Sequence, residues 1–74
     1  MTWEELKEKA KEMGASVYVS PLGDNYERIG FKNIYIHNDD GEIYISVETK
    51  SGFALLADNN RTPDQMLAIM KALQ

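Results

Sequence analysis

The chain has 74 residues, 43% of them hydrophobic, no cysteine, and 12 acidic against 8 basic side chains for a formal net charge of −4. That length holds one core, so residues 1–74 are read as a single domain, and without cysteine neither disulfides nor thiolate metal sites can support it. The acidity weighs against direct contact with a phosphate backbone and favours a basic protein partner. No apolar run approaches the roughly 20 residues of a membrane span, and the charge that begins at Glu4 argues against a secretory leader, so a cytoplasmic protein is expected.

In chain order, Thr2 and Glu5 form a capping-box pattern, and a helix is predicted from Trp3 to Met13. Trp3, Leu6, Ala10 and Met13 fall on one apolar stripe, while Glu4, Lys7, Glu8, Lys11 and Glu12 are assigned to water. Glu4 with Lys7 and Glu5 with Lys9 have the spacing of helix ion pairs, and Gly14 suits the position after the cap. Ser16 to Ser20 alternates as a short strand with Val17 and Val19 inward and Tyr18 outward, and Pro21 ends it. Pro21 to Lys32, with Gly23, Asp24, Asn25 and Gly30, reads as a long loop with an irregular turn near Tyr26 to Ile29; Ile29 and Phe31 tuck beneath it.

From Ile34 to Ala57 the pattern is a β-meander with turns at Asn38-Asp39-Asp40-Gly41 and Lys50-Ser51-Gly52. Pairing His37 with Glu42 sets Ile36 against Ile43, Ile34 against Ile45 and Tyr35 against Tyr44. A three-residue loop with Gly52 left-handed sets Thr49 against Phe53 and Val47 against Leu55, which would extend the aliphatic face. Asp58-Asn59-Asn60-Arg61 is a polar connection. Thr62-Pro63-Asp64-Gln65 then combines an N-cap, a proline at the first helical position and a second capping box, and starts a helix with Met66, Leu67, Ile69, Met70 and Leu73 on its apolar side.

Two amphipathic helices and a sheet with one aliphatic face satisfy each other when both helices pack on that face. The predicted fold is an α+β two-layer sandwich, an antiparallel meander of three or four strands between N- and C-terminal helices. Its other face then lies open and carries Tyr18, Tyr35, His37, Tyr44, Ser46, Glu48 and Leu56.

No catalytic or metal-binding pattern accompanies these elements. His37 is the only histidine and is read as an exposed turn residue beside Asp39 and Asp40; the serines have no other base, and the glycines do not form a phosphate loop. A non-enzymatic chain without a cofactor is expected. Tyr18, Tyr35, Tyr44 and Leu56 on the open face, with Asp39, Asp40 and Glu42 in the acidic turn, are the candidate protein-binding residues. The outward tyrosines resemble the base-stacking surface of RNA-recognition modules but lack the cations that meet phosphate.

The opening Thr2-Trp3-Glu4-Glu5-Leu6 and the closing Arg61-Thr62-Pro63-Asp64-Gln65-Met66 to Leu73 resemble the ends of small proteins from bacterial prophages and mobile elements. The helix-then-meander order with Asp40-Gly41, Tyr44 and Ile45-Ser46 is similar to acidic anti-CRISPR proteins that inhibit Cas9 by mimicking DNA at its PAM-reading cleft. That resemblance implies a mimic role for Asp40 and Glu42. It departs in having one C-terminal helix, a longer loop before the meander and fewer acids. The expectation is therefore a protein-interaction module of mobile-element origin, a monomer or weak homodimer with an unidentified partner. The alternative is an acidic nucleic-acid mimic.

Overall fold

Both helices begin at the caps that their sequences specify. A computed structural model of the chain describes residues 1–57 and 61–73. In α1, Trp3–Glu12, the Thr2 hydroxyl accepts from the Glu5 amide at 3.2 Å while the Glu5 carboxylate accepts from the Thr2 amide at 3.1 Å. In α2, Pro63–Ala72, Thr62 and Gln65 make the same exchange at 3.2 and 2.8 Å. Helix α1 ends at Met13 with Gly14 at φ +94°; the Gly14 amide donates to Lys11 O and the Ala15 amide to Ala10 O, the paired bonds of a Schellman stop.

Between the helices run five strands, β1 (Ser16–Val19), β2 (Tyr26–Phe31), β3 (Ile34–Asp39), β4 (Glu42–Thr49) and β5 (Gly52–Ala57), in an antiparallel sheet of order β1-β2-β3-β4-β5. Leu6 and Ala10 of α1 and Met66, Leu67 and Met70 of α2 pack with Ile29, Ile34, Ile36 and Ile45 into one core on one side of this sheet. The architecture is the α+β sandwich expected, with an additional strand. Leu73, placed on the apolar stripe, is the C-cap of α2 and stands half exposed.

That additional strand corrects the long loop. Only Ser20–Asn25 connects β1 to β2, with Gly23 and Asn25 at positive φ. The strand was hidden because its alternation is broken on both faces. Glu27 occupies an inward position beside Ile29 and Phe31, and Gly30 an outward one beside Tyr26 and Arg28. Glu27 is tolerated inward because α1 neutralises it. Its carboxylate accepts from Lys7 Nζ at 2.7 Å and from Trp3 Nε1 at 2.9 Å. Lys7 is consequently covered rather than facing water. It also pairs with Glu4 at 2.9 Å, whereas Glu5 serves the cap and forms no ion pair with Lys9.

Two registers differ from expectation, with unequal consequences. Asp40 and Gly41, at φ +53° and +95°, alone make the β3–β4 turn, so Asp39 pairs with Glu42, His37 with Tyr44, Ile36 with Ile45, Tyr35 with Ser46 and Ile34 with Val47. Such a turn fits the right-handed strand twist, and Asn38 Oδ1 braces it by accepting from the Gly41 amide at 2.8 Å. This slides the pairing by two residues and leaves every side chain on its predicted face.

The β4–β5 correction is a slip of one residue, which turns a strand over. Gly52 is positive in φ, at +130°, but already pairs with Thr49; Glu48 then pairs with Phe53, Val47 with Ala54 and Ser46 with Leu55. Phe53 and Leu55 therefore leave the aliphatic face for the opposite one. A bulge at Ile45/Ser46, where Ile45 pairs with Ala57, leaves Leu56 unpaired. Val19, expected inward, is 61% exposed at the end of β1. The connection predicted over Asp58, Asn59 and Asn60 lies outside the described residues.

Candidate binding face of the sheet

Because paired residues of antiparallel strands share a face, the registers place Tyr18, Arg28, His37 and Tyr44 in one row across β1 to β4. A neighbouring row runs Ser16, Gly30, Tyr35, Ser46 and Leu55. Both rows face away from the helices.

His37 is at the centre. Its Nδ1 lies 2.7 Å from the Tyr26 hydroxyl, its Nε2 2.7 Å from Ser46 Oγ, and its ring stacks on Tyr44 at 4.5 Å with 14° between planes. This corrects the exposed-turn reading, since the two-residue turn moves His37 well into the sheet. A phenol is a stronger donor than acceptor, which favours the tautomer in which Tyr26 donates to Nδ1 and Nε2–H donates to Ser46. In that tautomer the Ser46 oxygen accepts, and the residue is only 6% exposed. Burial pushes the His37 pKa down, the nearby Arg28 charge adds to this, and Asp39 opposes it. Burial likewise pushes the Tyr44 phenol up, with further contributions from Tyr26, Asp39 and Glu42.

Arg28 lies between two rings, with its guanidinium carbon 5.0 Å from the Tyr18 centroid and 5.3 Å from that of Tyr35. Gly30 makes room for this arrangement. A Cβ there would stand 3.2 Å from Tyr35 Cε1, so the ring lies where a side chain would otherwise be. Tyr35 also meets Phe53 edge-on at 5.6 Å, and Tyr18 meets Tyr26 at 6.3 Å. Among the described residues Arg28 has no carboxylate partner and donates no hydrogen bond to another side chain.

Toward β5 the face opens into a groove of about 350 Å³ lined by Arg28, His37, Tyr44, Ser46, Phe53, Ala54 and Leu55. Phe53 and Leu55 are 63% and 65% exposed. Of the residues singled out from sequence, Tyr18, Tyr35 and Tyr44 do share this face. Leu56, 43% exposed at the bulge, does not line the groove, and Leu55 and Phe53 stand in its place. Asp39, Asp40 and Glu42 are exposed at one end of the sheet, where Asp40 Oδ1 accepts from Asn25 Nδ2 at 3.3 Å, and none of them lines the groove. Sequence reasoning missed Tyr26 and Arg28, whose i, i+2 spacing before Gly30 was the available signal.

Among the described residues, no three His, Asp or Glu side chains converge as a metal site, and no helix is long and apolar enough to cross a membrane. Compared with known proteins, the chain matches no family model, no curated protein and no solved structure.

Proposed function

We propose that the chain is a small non-enzymatic interaction module that binds a protein through the open aromatic face of its sheet. The observation that carries this reading is the pair Phe53 and Leu55, 63% and 65% exposed beside an ordered aromatic array that neither helix covers. Exposed apolar side chains next to tyrosine and arginine are the composition of interface centres, where large rigid side chains lose little entropy on binding. Tyr26, His37 and Ser46 do place a hydroxyl against an imidazole, as a nucleophile and base would be placed. The phenol in the third position, however, favours the tautomer that donates to Ser46 rather than the one that accepts its proton. A cytoplasmic setting and a mobile-element origin belong to the same proposal, supported by the absence of cysteine and by the resemblance of the chain's ends.

A photocrosslinking amino acid placed at Phe53, and separately at Glu8 on the outer side of α1, tests the reading in cells of the source organism. A protein adduct is expected from position 53 and not from position 8; no adduct from position 53 refutes it. An adduct of twice the chain's mass would make the partner a second copy. The acidic-mimic reading is the second one, favoured by the joint exposure of Asp39, Asp40 and Glu42 in one turn. It predicts that Asp39→Ala with Asp40→Ala abolishes a salt-sensitive association with a basic nucleic-acid enzyme.

A further inference from the structure

The net charge of −4 favours a basic partner, but the charge on the binding face has the opposite local sense. Among the described residues Arg28 is the one cation at the outward strand positions, and no carboxylate meets it; it opens onto the groove, and its guanidinium is oriented by the Tyr18 and Tyr35 rings. Toward β5 the groove is lined by Tyr44, Ser46, Phe53 and Leu55, with Ser46 paired to Leu55. The groove therefore runs from a cation on β2 to apolar side chains on β5. Resting on the interaction reading above, we infer that the partner inserts a single carboxylate side chain against Arg28, with a neighbouring aliphatic side chain on Phe53 and Leu55.

The alternatives fit less well. A nucleic-acid strand could stack on these rings, but it brings a phosphate at every nucleotide to a face whose other charges are Asp39, Glu42 and Glu48. One cation among carboxylates selects one anion at short range, not a polyanion. A small carboxylate would meet Arg28 but leave the apolar surface of Phe53 and Leu55 uncovered. A peptide segment meets both requirements, because its flanking residue continues over that surface.

The test uses the full chain, labelled with ¹⁵N, and four probes followed by amide shifts: acetyl-Ala-Leu-Glu-Leu-Ala-amide, the same peptide with glutamine or lysine in place of glutamate, and a short oligothymidylate. The glutamate peptide is expected to shift amides of β2 to β5 around the groove. It should bind at least about tenfold more tightly than the glutamine peptide, as a charge-assisted guanidinium–carboxylate pair does, and more tightly still than the lysine peptide. Arg28→Gln should remove that preference and Arg28→Lys should keep part of it. The wild-type comparison of peptides does not depend on either variant folding. Equal binding of the glutamate and glutamine peptides, or no shift from any peptide, overturns the inference while an adduct at position 53 leaves the interaction reading intact. Tighter binding of the oligonucleotide to the same amides overturns both in favour of a nucleic-acid surface.

Discussion

Replacing His37 with phenylalanine isolates what the polar network contributes, because the ring stack on Tyr44 is kept and only the two hydrogen bonds are lost. Tyr26 is partly exposed, and its hydroxyl can turn to water at little cost. Ser46 is 6% exposed, so losing the imidazole leaves its oxygen without a donor and with little access to water, at a cost of roughly 1–3 kcal/mol. For a domain of 74 residues, each kcal/mol is worth about 4–8 °C in melting temperature, so a loss near the middle of that range is readily measured. Ser46→Ala alone strands the imidazole N–H instead and should cost about 1 kcal/mol. In the double variant nothing is stranded, so its destabilisation should fall short of the sum of the single ones by about 1 kcal/mol or more. Urea unfolding followed by the fluorescence of Trp3, the sole tryptophan, reads this cycle from the opposite side of the sheet. If the two substitutions add within about 0.5 kcal/mol, the hydrogen bond does not join these residues in solution and the proposed organisation of the face is wrong.

The pH dependence of the same histidine has a definite sign. Burial and Arg28 hold the folded-state pKa below the ordinary imidazole value, so the unfolded chain takes up its proton first as pH falls. Stability is complete above the ordinary histidine range and declines as pH passes down through it toward the lowered value. His37→Phe should flatten that part of the stability profile in the same urea assay. Glu27 behaves as an acid with a lowered pKa, chiefly because of the Lys7 hydrogen bond, with Trp3 assisting and burial opposing. Its contribution is present above the ordinary carboxyl range and is lost as pH falls through the lowered one. Glu27→Ala should cost about 2 kcal/mol and change the Trp3 emission, while Glu27→Gln, which keeps one acceptor, should cost less. Leu55→Ser should change stability by no more than about 0.5 kcal/mol, and Phe53→Ser, which also loses its edge contact with Tyr35, by no more than about 1.5 kcal/mol, since both side chains are largely exposed. A loss of about 2–5 kcal/mol at either, as for a truncated core residue, would restore the register in which β5 faces the helices.

The helices were legible because their signals are local: Thr2 with Glu5 and Thr62 with Gln65 specify their starts without reference to the rest of the fold. The two sides of β3 and β4 were legible for a different reason. A register error of two residues preserves the alternation, so Ile34, Ile36 and Ile45 were assigned to the core and Tyr35 and Tyr44 to the open face even with the wrong partners opposite them. Where the error was one residue, at β5, the same reasoning put Phe53 and Leu55 on the wrong side. Nothing local to Lys50-Ser51-Gly52 distinguishes a two-residue loop from a three-residue one, and either face of β5 contains leucine or alanine. Strand β2 was illegible because an inward Glu27 is explained only by Trp3 and Lys7, some twenty residues earlier in the chain. Losing that strand also removed Tyr26 and Arg28 from view. The face then lacked Arg28, the one cation at its described strand positions.

The two halves of the open face differ in a way that bears on how a partner would bind. Across β1 to β3 the outward side chains already constrain one another: Arg28 between Tyr18 and Tyr35, and Tyr26 bonded to His37. Ordering these groups has an entropic cost that folding has met before any partner arrives, so binding does not incur it again. On β5, by contrast, Phe53 has only its edge contact with Tyr35, and both it and Leu55 leave most of their apolar surface in water. Burying a leucine-sized side chain fully is worth roughly 1.5–3 kcal/mol, so most of the affinity gained by a partner would come from this second half. The first half would set orientation and selectivity. Removing Phe53 and Leu55 should therefore weaken every peptide alike, whereas changing Arg28 should alter which peptide is preferred, and the two effects separate the apolar contribution from the electrostatic one in a single titration series.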